Sequence, residues 1–202
     1  MNTSTRHFPQ KFRPQGFSLV TVMIIMVIVS LMGVAASQMA LLGERSARYD
    51  RDSQIAYQAA EAALMDAEFD LRGPNSSALK RVDTFSNTSL LGFADGCGTG
   101  TDLGLCLPST GTKPIWYTVN FADESASATT VQFGQFTDRT LAYGSAGAQP
   151  AMRPRYLVEA IPDQTPGTSA STAPKILHRV TAMGFGPRTD TQAVLQMIFR
   201  KE

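Results

Sequence analysis

Few side chains in this 202-residue sequence are of types and spacings that could do chemistry. His178 is the only histidine beyond the first sixteen residues, and a lone histidine on a strand reads as packed or exposed, not catalytic. Cys97 and Cys106 are the only thiols. In an oxidising compartment they can pair; in a reducing one they stay free. Pairing would close a ten-residue loop and contribute about 2.5–3 kcal/mol in the chain-entropy model. Asp95 and Asp102 lie beside and within that loop. Calcium takes roughly six to eight oxygen ligands, so two carboxylates read as turn formers. There is no phosphate-binding glycine motif, no metal-spaced His/Cys cluster and no nucleophile–base pair. Asn75-Ser76-Ser77 and Asn87-Thr88-Ser89 fit a glycosylation pattern, read here as chance. A net charge of +1 gives no whole-chain attraction to nucleic acid. These residues point to a non-enzyme with no cofactor and no metal site.

The element that must position everything else is Gly16 to Gly43, which contains no charged residue, histidine or proline. Between Phe17 and Ala36, Phe, Leu, Val and Ile fill eleven positions and Met three more. On an insertion scale those eleven favour a bilayer by roughly 5 kcal/mol. Twenty helical residues, at about 1.5 Å each, also match a hydrocarbon core of about 30 Å. Arg6, Lys11 and Arg13, with no acid before the run, hold the first residues in the cytoplasm, so the bulk of the chain crosses. An ordinary secretory signal, cleaved before Ser37, is the alternative, although its apolar core is usually only about 7–15 residues.

Glu44 to Arg72 lacks glycine and proline and is rich in strong helix formers. Ile55, Ala59, Ala62 or Ala63, and Phe69 recur at helical spacing, so they are expected to pack on a sheet. Asp52, Glu61, Asp66 and Asp70 are expected mostly on the opposite, wet face. Gly73-Pro74 stops the helix. Asn75 to Thr112 has a loop composition. Strands are predicted at 115–121, 130–136, 155–161, 176–183 and 192–199, the last three forming an antiparallel meander covered by the helix. In the last strand Ala193, Leu195, Met197 and Phe199 share one face; Ile176, His178, Val180 and Ala182 do so in the one before.

Three stretches carry a family resemblance. Gly16-Phe17-Ser18-Leu19-Val20 is an abrupt polar-to-apolar edge that resembles the prepilin cleavage site of the type IV pilin superfamily. Arg51 to Glu68, with Gln58-Ala-Ala-Glu-Ala-Ala-Leu64 at its core, is similar to the helix of PilX-type minor pilins. The final strand, glycine-rich turn and strand also look like that type. The resemblance implies an α+β pilin-like fold, with a long N-terminal helix, first transmembrane and then amphipathic, packed on a C-terminal antiparallel sheet. It divides the chain into a leader (1–16), the membrane and fibre-core half of the helix (17–43), its amphipathic half (44–73) and a periplasmic head with a disulfide loop (74–202).

By resemblance, a prepilin peptidase cuts after Gly16 and Phe17 becomes the N-methylated terminus. The fifth residue after the cut is usually glutamate in pilins; here it is Thr21, as in subunits added first, at the tip. The implied function is a non-enzymatic minor pilin, held by a single span in the bacterial inner membrane with its head in the periplasm. It primes type IV pilus assembly with other minor pilins and the major pilin, using the inner-membrane assembly platform, and then enters the surface fibre. The alternatives are a K-type pseudopilin of type II secretion and a membrane-anchored periplasmic binding or adhesion domain.

Overall fold

The computed structural model describes residues 17–144, 147–163 and 175–201. The expected leader, residues 1–16, lies outside them, as do residues 164–174 between the third and fourth expected strands. Every residue from Phe17 to Arg72 is helical, forming α1. The absence of proline lets the hydrogen-bond ladder run on, and Gly73 ends it. Gly73 adopts φ +80°, and its N–H returns to the Phe69 carbonyl at 3.0 Å, the left-handed cap that glycine accepts without a Cβ penalty. The chain forms two compact units, Met1–Arg48 and Tyr49–Glu202. In the first, the helix exposes its side chains all round from Ser18 onward.

The second unit adds β1 (Leu105–Cys106), α2 (Ile115–Thr118), β2 (Val131–Gln132), β3 (Arg155–Pro162), β4 (Ile176–Phe185) and β5 (Gln192–Phe199). One sheet results, with order β1-β3-β4-β5 and β2 pairing beside β1 on the same edge of β3. The β3–β4–β5 ladders are antiparallel, as the meander requires, but β1 runs parallel to β3, so the sheet is mixed. The arrangement is α+β, with the last turns of α1 packed on one face of the sheet. Ala63, Ala67 and Leu71 meet Tyr156, Val158, Val180 and Ala182 there. On the other face Leu157 and Phe185 are covered by Phe121, Met152 and the Cys97–Cys106 bridge.

Two expected strands are corrected. Residues 115–121 do not form a strand: 115–118 make a single helical turn after Pro114, with the Thr118 hydroxyl donating to the Ile115 carbonyl at 2.7 Å. Ile115, Trp116 and Val119 pack over the disulfide layer, which is helical spacing (i, i+1, i+4), so tertiary packing overrides aromatic β-propensity. Residues 130–136 keep only two strand residues, because Gly134 turns the chain at φ +81°. A Cβ at Gly134 would lie 2.0 Å from the Arg139 carbonyl oxygen, so only glycine fits that turn.

Candidate functional site

What the described residues present for function is an exposed apolar helical stretch and, separately, a head packed on the later turns of α1. Leu19, Ile24, Val29, Leu31 and Leu41 are all exposed, in a helix long and apolar enough to cross a membrane. Thr21 lies exposed within this stretch. Phe17 opens the helix.

The helix face that meets the sheet is a stripe of Ala56, Ala59, Ala60, Ala63, Ala67 and Leu71, all buried. Ala59 therefore sits in the contact, whereas Ile55, Ala62 and Phe69 lie half-buried at its margins. The alanines permit close approach because the sheet answers with glycine. A Cβ at Gly184 of β4 would stand 2.1 Å from the Ala56 carbonyl oxygen and 2.2 Å from the Ala60 nitrogen.

Asp66 and Asp70 belong to the same stripe, fully buried, and not to the wet face expected for them. They sit there because partners meet both charges. Arg81, from the loop after α1, donates from Nε and Nη2 to the Asp70 carboxylate at 2.7 to 3.1 Å. Its Nη1 donates to the carbonyls of Thr101 and Leu103 at 3.0 and 2.6 Å, and its guanidinium lies 3.8 Å from the Phe136 ring centroid. The Tyr156 hydroxyl of β3 donates to Asp70 at 2.9 Å. One carboxylate on the helix thus gathers the sheet, the loop after the helix and the glycine-rich loop. Burial and the neighbouring Asp70 charge hold the Tyr156 phenol well above its usual range.

Asp66 accepts from the Gly134 N–H at 2.8 Å and from the Thr137 hydroxyl, which fixes the turn that shortens β2. Burial raises its pKa, while those hydrogen bonds and Arg139 oppose the rise. At the far end of the sheet, Lys201 Nζ donates to the carbonyls of Leu71 and Val82, a cation capping the C-terminus of α1.

Cys97 and Cys106 are joined in a disulfide, and both are fully buried. The bridge closes a sheet edge. Ala94 pairs alongside Cys106 on the far side of β1, its N–H donating to the Leu105 carbonyl at 3.2 Å. Replacing both cysteines by serine is expected to lower unfolding stability by about 2.5–3 kcal/mol, read by urea titration of the detergent-purified chain. Asp95 is exposed and Asp102 half-buried, and among the described residues no group of three or more His, Cys, Asp or Glu could hold a metal ion.

His178 lies buried between the rings of Phe85 and Phe93, with centroids 5.5 and 5.7 Å away. Neither ring nitrogen has a hydrogen-bond partner among the described residues. Burial first, and the Lys201 charge second, push its pKa down to about 4 from 6.5. The unfolded chain therefore takes up this proton near pH 6.5 and the folded one only near pH 4. The resulting stability is complete above pH 6.5 and lost as the pH falls through that window, by roughly 3 kcal/mol. Asp66 acts with the opposite sign, since a raised carboxyl pKa favours the fold as acid is added. His178→Leu is expected to remove most of the loss between pH 6.5 and 4, measured as Tm against pH beside the parent chain.

Comparison with known families fits these two parts. A model of the PilX N-terminal region matches residues 15–64, and one of the C-terminal region of the type IV pilus assembly protein PilX matches residues 92–201. The chain belongs to the PilX family. It is a minor pilin of type IV pilus assembly. No curated protein and no solved structure matches it. The first PilX match takes in the exposed apolar helix and most of the alanine stripe, and the second takes in the disulfide loop and the whole sheet. Arg81 and Asp70 fall in the interval between the two PilX matches, 65–91.

Proposed function

We propose that this PilX-family chain is a non-enzymatic subunit that waits in the bacterial inner membrane, head in the periplasm, and primes type IV pilus growth with other minor pilins. A prepilin peptidase cuts between Gly16 and Phe17, and Phe17 is N-methylated. Residues 17–43 then leave lipid for a bundle of neighbouring subunit helices, including those of the major pilin, on the inner-membrane assembly platform. Thr21 supplies no carboxylate for a neighbour's positive terminus, which suits a subunit added first, at or near the tip. Ile55, Ala59, Ala62 and Phe69 serve the packing of the second half of the helix. The disulfide suits an oxidising periplasm.

The observation that carries this reading is the junction within α1. An uncharged helix, exposed all round, continues into one whose alanine stripe is locked to a folded head. A chain that joins a folded head to an apolar helix suited to lipid or to a bundle of like helices is built for association. Deleting the gene is expected to abolish surface fibres and twitching, restored by the full-length chain, and to leave enzyme export intact. Loss of exported enzymes with fibres unchanged would assign the chain to a secretion pseudopilus.

A further inference from the structure

β5 ends the sheet, and its outer backbone edge is bare. Its ladder is to β4, and among the described residues no other backbone group pairs with it. Such an edge presents a row of N–H and C=O groups that another extended backbone can satisfy, and proteins ordinarily blunt it with lysine, proline or a bulge. None is present here. Gln192–Phe199 carries no charge and no proline, and its register with β4 runs unbroken over eight residue pairs. Its outward positions alternate glutamine with apolar residues, Gln192, Val194, Gln196 and Ile198, and Val194 and Ile198 are 39% and 64% exposed. The opposite side of the sheet is closed: β1 and β2 are two residues each, Leu105 and Cys106 are fully buried, and Ala94 occupies the far side of β1.

We infer that the β5 edge is a docking strand that takes up an extended, uncharged segment of a different envelope protein as an added strand. The edge itself specifies this occupant. Its backbone groups require an extended partner. Its uncharged face requires apolar or small polar side chains at alternate positions, since a charge set against it would be desolvated without a counterion. A second copy does not fit. Head-to-tail pairing would need the β1 edge, which is short and occupied. Two-fold antiparallel pairing of β5 with β5 would reverse the sheet-packed part of α1 in one copy relative to the other, which does not suit two copies anchored in one membrane. That last exclusion rests on the anchored-subunit reading above.

The test places a photoreactive benzophenone side chain at Val194, Gln196 or Ile198 of the full-length chain in its own cells. Crosslinked peptides are then sequenced. The expected result is an adduct in one extended stretch of another envelope protein, its site moving by about four residues as the probe moves from Val194 to Ile198. With the probe at Gln196, the pair Val194→Lys and Ile198→Lys is expected to cut adduct yield at least about tenfold, with the Tm of the purified chain unchanged. No adduct, an adduct only with the chain itself, a site that does not move with the probe, or a yield indifferent to the lysines would overturn the inference. Fibre counts in the deletion strain are read separately. Intact fibres with the adduct present would remove the pilus reading and leave the docking strand standing; lost fibres without an adduct would do the reverse.

Discussion

Gly184→Ala is expected to destabilise the head by roughly 3–5 kcal/mol, a large share of the roughly 5–15 kcal/mol that holds a domain together. The methyl group would meet backbone on the facing helix, 2.1 Å from the Ala56 carbonyl oxygen and 2.2 Å from the Ala60 nitrogen. Neither atom can rotate away like a side chain, so the whole helix must lift from β4. Lifting it breaks the contacts of Ala63, Ala67 and Leu71 with the sheet and stretches the Asp70 hydrogen bonds. Backbone conformation is not the cause, because Gly184 has no positive φ; the cost is space alone. Gly184→Val should leave no folded head. Urea titration followed by tryptophan fluorescence of Trp116 reads both variants. An alanine variant within about 1 kcal/mol of the parent would contradict the close packing.

The second large effect lies in the Asp70–Arg81 pair. Arg81→Met strands a fully buried carboxylate, and Asp70→Asn strands a nearly buried guanidinium, so each is expected to cost about 3–5 kcal/mol. The double variant should cost clearly less than the sum, by about 1–3 kcal/mol, because removing both charges removes the unpaired one. It should not return to parent stability, since the carbonyls of Thr101 and Leu103 would still lack the donor that Arg81 supplied. Fully additive losses would mean that the two residues act independently, against the geometry. Glu159 and Arg179, paired across β3 and β4 at 2.8 and 2.9 Å with Arg179 partly exposed, should show a smaller version of the same coupling.

The long helix, its stop at Gly73-Pro74 and the last three strands were legible in the sequence because each rests on a local signal. Unbroken apolar residues, a capping glycine and period-two alternation need no knowledge of what lies opposite. β5 shows this directly: Ala193, Leu195, Met197 and Phe199 point inward at the expected positions. Asp66 and Asp70 depart from the wet face expected for them because a charge need not meet water where a buried partner satisfies it. Their spacing carried the contrary signal, since 63, 66, 67, 70 and 71 continue the stripe of Ala56, Ala59 and Ala60 by threes and fours. What the sequence could not supply was the partner, because Arg81 and Tyr156 lie 11 and 86 residues from Asp70. The failed strand at 115–121 has the same origin: Trp116 takes its conformation from a layer built by Cys97, Cys106 and Leu157. The parallel β1–β3 pair depends likewise on a contact more than fifty residues apart.

The proposed function requires that this helix, freed of residues 1–16, enters a fibre. Intact-mass measurement of the chain recovered from sheared surface fibres tests that most directly. The predicted mass is that of a chain beginning at a methylated Phe17, sixteen residues shorter than the translated product, with one disulfide. A chain absent from the fibres, present at full length, or beginning at Ser37 without the apolar helix would contradict it.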